Sequence, residues 1–302
     1  MNILHLRYAV EVAKEGSINK ASDRLLVAQP NLSRSIKELE ADLGIVLFER
    51  SSRGMFLTPE GEQFIAHAKS ILAHIDEVEQ RYKGNMSRRQ RFSASVPRAS
   101  YISAAFARFC DGLDPTSAVV SYQETNSGQV ITNVASGESK LGVVRYSESY
   151  EGYFKAVLAE KGLVTEPLQE FRHVLLMHRD NPLASVETVG FEDLEAGIEV
   201  IYADAYVPSL RLTKYEEPTE EHGRHIYVYE RASQLEILSQ NPDAFSWVSP
   251  SPQSVLDRYG LVERAFPDLR QPSKDVLVWR KDYRLSELDK RFIDELKKET
   301  DK

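Results

Sequence analysis

Residues 17–61 have the sequence SINKASDRLLVAQPNLSRSIKELEADLGIVLFERSSRGMFLTPEG, and this stretch decides the fold of the N-terminal part. Ser17 is a good N-cap for a first helix, and Ala21 is small where a second helix must cross the first closely. Pro30 suits the first position of that second helix, because its missing N–H costs little there. The pattern therefore predicts a helix, a tight turn and a second helix that runs from Pro30 to Leu43.

The second helix has an apolar face and a polar face. Amide and guanidinium side chains near the N-terminus of such a helix can pair with base edges in the major groove of duplex DNA. Two apolar runs around a basic turn then predict a two-stranded wing, whose arginines would contact phosphate or the minor groove. We therefore predict that DNA is bound by Gln29, Pro30, Asn31, Ser33, Arg34 and Lys37 of the helix and by Arg50 and Arg53 of the wing.

A longer helix follows the wing. Thr58 is an N-cap and Pro59 suits the first turn, and nothing breaks a helix before about Lys83. Its apolar residues recur at alternating steps of four and three, a heptad seam that favours a partner helix. The alternative is an amphipathic helix that packs on its own domain. The seam consists of Phe64, Ala68, Ile71, Ile75, Val78 and Tyr82.

Composition limits the class of protein. The chain has 302 residues, of which 42% are hydrophobic and 28% are charged, which fits a globular protein of two or three domains. No apolar run approaches the length of about 20 residues that spans a bilayer. Arg7, Glu11 and Lys14, close to the N-terminus, argue against a signal peptide. Cys110 is the single cysteine, so no internal disulfide can form. We expect a cytoplasmic protein with no membrane contact.

Charge is distributed unevenly along the chain. The net charge is −8, yet residues 1–58 carry eight cations against seven anions and therefore contribute +1. The remaining residues consequently carry −9. An acidic body with a nearly neutral head needs its cations gathered on one face to bind DNA, and such binding should depend strongly on salt.

Several ordered motifs resemble those of LysR-type transcriptional regulators. One departure is Ala28, where many members have a serine that can cap the recognition helix. The motifs are the Gly16-Ser17 pair, the Ala21-Ser22 pair, QPxLSRxIxxLE from Gln29 to Glu40, LGxxLFxR from Leu43 to Arg50, and LTPEG from Leu57 to Gly61. The resemblance implies a winged helix-turn-helix, a linker helix that dimerises, a DNA site with two half-sites, and contact with RNA polymerase.

The C-terminal part alternates short apolar runs with helical stretches from Phe92 onward, which predicts α/β units. The resemblance implies an effector-binding domain of the periplasmic-binding-protein type, with two α/β lobes and a ligand between them. We therefore expect a multidomain chain, divided as follows: a winged helix-turn-helix at 1–58, a linker helix and hinge at 59–90, and an effector-binding domain at 91–302, with lobe I at about 91–163 plus 268–302 and lobe II at about 164–267.

The carboxyl ends of the predicted strands supply candidates for effector binding, because such sheets bind ligands there, beside helix N-termini. The alternative for each position is a helix cap or turn residue. The resemblance implies inducer contacts at Ser100 and residues 125–127. Two arginines at one cleft would favour a carboxylate or phosphate ligand. The candidates are Ser95, Arg98, Ser100, Thr125, Asn126, Ser127, Arg145, Tyr146, Tyr202 and Tyr206. Trp247, where the family has a small aliphatic residue, would narrow the pocket.

No motif for catalysis, metal or cofactor binding stands out. The seven histidines form neither HExxH nor a spaced Cys/His set, and GxSxG, P-loop and GxGxxG motifs are missing from the sequence. We therefore predict a DNA-binding regulator, a dimer or tetramer, controlled by a small molecule of unknown identity, with no enzymatic activity. The alternative is a cytoplasmic small-molecule binding protein whose N-terminal head contacts protein rather than DNA.

Overall fold

In the computed structural model the chain forms two compact units. The first comprises residues 1–88 and 135–138, and the second comprises 89–134 and 139–302. The predicted contact residues Arg53 and Tyr206, and most of the predicted hinge, lie outside the described residues, which are 2–51, 54–82, 90–203, 224–267 and 271–300. Within those ranges, no helix is long and apolar enough to cross a membrane.

Three short helices, a two-stranded wing and a long helix form the first unit. Leu32, Ile36 and Leu39, each at most 3% exposed, pack in one core with Ala9 and Val12. The predicted helix-turn-helix and wing are therefore confirmed. The elements are α1 (Ile3–Glu15), α2 (Ile18–Leu25), α3 (Gln29–Leu43), β1 (Phe48–Ser51), β2 (Gly54–Leu57) and α4 (Pro59–Tyr82).

Local chemistry explains where these helices end. Gly16 ends α1 with a φ of 59°, in the left-handed region that glycine adopts without strain. Ser17 Oγ accepts a hydrogen bond from the N–H of Lys20 at 3.4 Å and caps α2 as predicted. Ala28 precedes α3 and gives it no side-chain cap.

Thr58 and Gly61 form the joint between the wing and α4. Thr58 Oγ1 donates to the carbonyl of Val46 at 2.7 Å and accepts from the N–H of Gly61 at 2.9 Å. A Cβ atom on Gly61 would lie 2.2 Å from the carbonyl oxygen of Leu47, far inside van der Waals contact. The last position of the LTPEG motif therefore requires glycine.

The predicted heptad seam of α4 has two different environments. Ala68 is fully buried and packs with Ile75 against Leu6 of α1. Ile71 and Val78 are 41% and 56% exposed. The alternative interpretation, in which α4 packs on its own domain, thus holds for one part of the seam. A second apolar part of the seam stays exposed.

The second unit begins with a βαβαβ series and ends with a strand and helix that return to it. Phe92, Phe109 and Phe292 meet in its core, with ring centroids 4.5–5.6 Å apart. The elements are β3 (Gln90–Val96), α5 (Ser100–Asp111), β4 (Ala118–Glu124), α6 (Ser127–Ala135), β5 (Leu141–Ser147), α7 (Glu151–Glu160), β6 (Leu163–Phe171), and, at the end of the chain, β12 (Ser273–Arg280) and α11 (Glu287–Thr300).

A second α/β series is inserted between β6 and β12. Its core is formed by Leu175, Met177 and Phe245 on one face and by Leu176 and Leu235 on the other. The elements are β7 (Val174–His178), α8 (Phe191–Leu194), β8 (Ile198–Tyr202), β9 (Arg224–Val228), α9 (Arg231–Gln240), β10 (Ala244–Val248), α10 (Gln253–Tyr259) and β11 (Leu261–Ala265).

The strands form two mixed five-stranded sheets, one for each predicted lobe. The order is β4-β3-β5-β12-β6 in the first lobe and β11-β7-β10-β8-β9 in the second. The chain crosses from β6 to β7 and returns from β11 to β12. Both crossovers therefore leave and enter the same side of each sheet, and the two lobes share one hinge region.

One predicted boundary is corrected. The sequence pattern puts the start of lobe II at about residue 164, but β6 pairs antiparallel with β12 from Leu163 to Phe171 and so belongs to the first lobe. The second lobe starts with β7, after Phe171. The local pattern could not show this, because the strand that pairs with β6 lies much later in the chain.

Candidate functional site

The outer face of α3 presents the side chains predicted to contact DNA. The inner face is fixed in the core by Leu32 and Ile36. Neither Arg34 nor Lys37 has an ion-pair partner among the described residues, so both charges are available to an anion. Ser33 is half-buried, and the exposed residues are Gln29, Pro30, Asn31, Arg34 and Lys37.

The N-terminus of α3 is open to a ligand. The carbonyl of Ala28 accepts from the N–H groups of Asn31 and Leu32 at 2.9 and 3.2 Å, but Ala28, at the N-cap position, gives the first turn no side-chain hydrogen bond. No acidic residue lies in that turn either. The positive end of the helix dipole therefore meets solvent beside Arg34, an arrangement that favours phosphate.

Glu40 anchors the wing to the recognition helix, a role that sequence analysis missed. Its Oε1 atom accepts from the N–H groups of Leu47 and Phe48 at 2.8 and 3.2 Å, where β1 begins. The N–H of Met55 in β2 donates to the carbonyl of Gly16 at 2.9 Å. The wing is thus fixed at both strands. Only the backbone of Arg50 is described, in β1.

Several of the predicted effector residues hold the first lobe together. Ser95 Oγ is fully buried, 2.7 Å from Ser139 Oγ and 2.9 Å from Asn133 Nδ2. Ser127 Oγ donates to the carbonyl of Arg145 at 2.6 Å and accepts from its N–H at 3.1 Å. Both serines therefore stabilise the lobe, as the alternative interpretation expects.

The turn between β4 and α6 also has a clear local role. The N–H of Thr125 donates to the carbonyl of Val96 at 2.8 Å, and Asn126 Oδ1 accepts from the N–H of Gln129 at 2.9 Å. Asn126 is therefore an N-terminal cap of α6. Ser100 begins α5 and is 7% exposed.

Tyr146 belongs to the core of the first lobe. Its ring stacks on Phe154 with centroids 5.0 Å apart, and the residue is 3% exposed. Burial is the main cause that raises the pKa of its hydroxyl. The side chain contributes to packing in this structure.

Arg145 lies in a buried ion pair. Its Nε and Nη2 atoms donate to Asp275 at 2.8 and 2.7 Å, and its guanidinium lies 4.6 Å from the centroid of Phe171. Tyr101 and Gln169 donate to the same carboxylate at 2.6 and 3.2 Å. Burial, and then Asp275, raise the pKa of Tyr101. Asp275 neutralises the charge of Arg145. Of the two arginines expected to bind an anionic ligand, Arg98 and Arg145, only Arg98 remains a candidate.

Arg98 and Tyr202 meet between the lobes. Arg98 follows β3, and its guanidinium carbon lies 4.8 Å from the centroid of Tyr202 at the end of β8. The Tyr202 hydroxyl donates to Gln234 Oε1 at 2.6 Å, and Gln234 Nε2 donates to Ser246 Oγ at 2.6 Å. Burial raises the pKa of Tyr202. The tyrosine is therefore fixed and neutral, and it offers its ring face to Arg98.

Glu124 and Arg231 make a second contact between the lobes, which sequence analysis missed. Arg231 Nε lies 2.9 and 3.1 Å from the two carboxylate oxygens of Glu124. Glu124 ends β4, and Arg231 begins α9. Their proximity depends on how the two lobes face each other, so no local pattern could have revealed it.

Three polar side chains near the hinge have atoms without a hydrogen-bond partner among the described residues. They are His173 Nδ1, Ser249 Oγ and Ser251 Oγ. Val248 of β10 pairs with Val174 of β7, so Ser249 and His173 are the next positions of these paired strands. Unmatched buried polar atoms are unusual and mark a place where a ligand or water can bind.

Trp247 packs within the second lobe. Its ring meets Phe266 edge to face, with centroids 5.0 Å apart, within the apolar cluster that also contains Phe245. The side chain fills the core of the second lobe, because alternate residues of β10 face that cluster.

Comparison with known proteins agrees with this architecture. Residues 3–62 match the model of the bacterial regulatory helix-turn-helix protein, lysR family, and residues 115–301 match that of the LysR substrate binding domain. The transcriptional regulator BenM of Acinetobacter baylyi is 49% identical over 78 residues, 26% of each chain. YnfL of Escherichia coli is 30% identical over 199 residues, 64% of this chain and 63% of YnfL. These alignments cover less than two thirds of either relative.

A solved structure extends the likeness in fold to the full length. Full-length CbnR, a crystal structure in complex with its target DNA, has a TM-score of 0.58 at 19% identity, covering 99% of this chain and 100% of CbnR. The LysR substrate binding domain alone matches more than half of the 302 residues. The chain belongs to the LysR family.

Proposed function

We propose that this protein is a DNA-binding transcriptional regulator whose action at promoters is controlled by a small molecule bound between the two lobes of its second unit. The observation that carries the proposal is the polar face of α3, with Gln29, Asn31 and Arg34 exposed and the opposite face fixed in the core. Asn and Gln can pair with adenine, and Arg with guanine, in the major groove.

Backbone phosphates would be bound around this face. Lys37 is exposed on the same helix, and the uncapped N-terminus of α3 favours an anion. The wing, which Glu40 anchors, would bring Arg50 and Arg53 to the neighbouring backbone or minor groove. Contacts with the sugar-phosphate backbone fix the position of the protein on DNA, and contacts with base edges select the sequence.

The uncovered apolar side of α4 supports self-association. Ile71 and Val78 are one heptad apart and both are exposed, so a second copy of the helix would bury them. A dimer would place two recognition helices on a site with two half-sites. Contact with RNA polymerase at the promoter, action in the cytoplasm and the lack of an enzymatic activity belong to the same proposal.

The effector site would lie where the two lobes face each other. Arg98, Thr125 and Tyr202 stand at carboxyl ends of strands in the two sheets, and His173, Ser249 and Ser251 contribute the unmatched polar atoms. Sheets of this kind bind ligands at such ends. We leave Arg145 out of the proposed contacts because Asp275 already neutralises it.

Selection of fragmented genomic DNA tests the proposal. Wild-type protein should enrich a few intergenic sites with a two-fold-related motif, and Arg34→Ala should lose that enrichment. Lys14→Ala is the matched control, because Lys14 is an exposed cation on α1 outside the predicted contact set. Equal enrichment by wild type and Arg34→Ala would favour the alternative, a binding protein whose head contacts protein.

A further inference from the structure

We propose that Glu124 and Arg231 form a latch that holds the two lobes of the second unit closed at the side opposite their hinge. This inference rests on the proposed function, because a latch between the lobes matters for a regulator that is controlled through them. It names a regulatory contact of the chain and does not depend on the identity of the effector.

The strand order places the latch far from the hinge. The crossovers use β6 and β12 at one side of the first sheet and β7 and β11 at one side of the second. Glu124 ends β4, at the opposite edge of the first sheet, and Arg231 follows β9, at the opposite edge of the second. Neighbouring strands are about 4.8 Å apart, so β4 lies roughly 19 Å from β6 across the first sheet. Because the contact lies so far from the hinge, even a small rotation of the lobes would separate its two partners.

The geometry of the pair suits a latch. Arg231 Nε reaches both carboxylate oxygens of Glu124, and Tyr122 donates to Glu124 Oε1 at 3.2 Å from within the first lobe. Tyr122 thus holds the carboxylate in position on one side. The side chains of Arg231 and Glu124 are only 21% and 17% exposed, so solvent screens their attraction less than it screens a surface pair.

The contact between Arg98 and Tyr202 supports the latch from one strand further in. Arg98 follows β3, the neighbour of β4, and Tyr202 ends β8, the neighbour of β9. Each lobe therefore contributes one residue to each of two successive contacts. Both contacts exist only while the lobes are closed, so they favour the closed arrangement, and any effector that opens the lobes has to offset them.

Distance measurement by double electron–electron resonance tests this inference on the full chain. Nitroxide labels are attached to Val119→Cys on β4 and Tyr227→Cys on β9, which are 42% and 52% exposed at the far edges of the two sheets. Cys110→Ala removes the native thiol, and dilution with unlabelled chains suppresses distances between copies. Wild type should give one short, narrow distribution.

Removal of the ion pair should populate a longer distance. We expect Glu124→Gln to raise the ratio of open to closed lobes about threefold, as for a modest ion pair. The exchange of charges, Glu124→Arg with Arg231→Glu, should restore the short distance. Salt at about 1 M, where the Debye length is about 3 Å, should move wild type towards Glu124→Gln and leave that variant unchanged.

Glu166→Gln is the matched control, because Glu166 pairs with Lys297 at 2.7 Å within the first lobe. The latch is wrong if Glu124→Gln keeps the wild-type distribution, if Glu166→Gln lengthens the distance equally, or if the charge exchange fails to recover it. Binding of the selected DNA is measured in parallel on the same proteins. A wild type without specific DNA binding would overturn the proposed function and leave the distance result standing.

Discussion

Leu26, in the turn before the recognition helix, has a backbone conformation that costs energy. It is the only non-glycine residue with a positive φ among the described residues, at 54°, and its side chain is 92% exposed. The left-handed region costs an L-residue about 1–2 kcal/mol, and an exposed leucine recovers nothing by burial. The turn is therefore less stable than it would be with a residue that tolerates the left-handed region, such as asparagine.

Leu26→Asn should stabilise the first unit by about 1 kcal/mol, because asparagine tolerates the left-handed region. Amide hydrogens of α2 and α3 should then exchange about fivefold more slowly. Val46→Asn is the control, because Val46 is 59% exposed and has no positive φ. Equal slowing in both variants would show that the loss of exposed apolar surface, and not backbone strain, is responsible.

Glu40 is the residue through which the wing is held to α3. Glu40→Ala leaves the N–H groups of Leu47 and Phe48 without their acceptor. Each N–H group that stays buried without an acceptor lowers the free energy of unfolding by about 1–3 kcal/mol. We expect weaker binding to the selected DNA and a shallower slope of log affinity against log salt, because wing contacts with phosphate are lost. Fluorescence anisotropy at several salt concentrations measures both.

Glu40→Gln is the matched variant, because glutamine keeps one acceptor oxygen at the same position. It should recover most of the affinity and the full salt slope. If Glu40→Ala binds more weakly with an unchanged slope, the wing makes no net phosphate contact and Glu40 acts on the stability of the head alone.

At the scale of elements, local signals explain which predictions hold. The ends of α1 and α2 follow from Gly16 and Ser17, whose effects act within one helical turn. The place of β6 depends on its pairing with the distant β12. Ser95 and Ser127 stand at strand ends, as a ligand-binding residue would, yet their partners come from other elements. Single-residue patterns could not separate these two roles.

The exposed apolar side of α4 predicts how the protein self-associates. Ile71→Asp with Val78→Asp should weaken self-association at least tenfold, because each buried aliphatic side chain contributes about 1.5–3 kcal/mol. Sedimentation velocity over a range of concentrations measures this. Gln63→Asp, at an exposed polar position of the same helix, should leave the dissociation constant unchanged. A double variant that associates like wild type would place the interface elsewhere.

At the scale of the whole second unit, charged contacts run from the hinge to the far edge of the two sheets. The Arg145–Asp275 ion pair lies within the first lobe, beside the crossover at Phe171. Two contacts then join the lobes, Arg98 with Tyr202 and, at the outer edge, Glu124 with Arg231. Next to the crossover, His173 is 6% exposed. Burial, and then the charge of Arg145, lower the pKa of His173 to about 3.

This buried histidine predicts an acid sensitivity of the second unit. The pKa of His173 is lower in the folded protein than in the unfolded chain, whose value is about 6.5. As the pH falls below 6.5, His173 becomes protonated in the unfolded chain but stays neutral in the folded protein. The stability that depends on the neutral histidine is therefore fully present above pH 6.5 and is lost progressively towards pH 3. Between pH 7.5 and 5.5 the loss from this residue should be about 1.4 kcal/mol.

Urea unfolding at both pH values, followed by tryptophan fluorescence, measures this loss selectively, because both tryptophans, Trp247 and Trp279, belong to the second unit. His173→Asn should remove about 1.4 kcal/mol of the pH-dependent difference. His67→Asn, at an exposed position of α4, should remove none of it. If wild type and His173→Asn respond to pH alike, His173 gains its proton in the folded state. Water would then reach His173 in acid, either through the closed hinge or because the hinge opens. This water would screen His173 from the charge of Arg145.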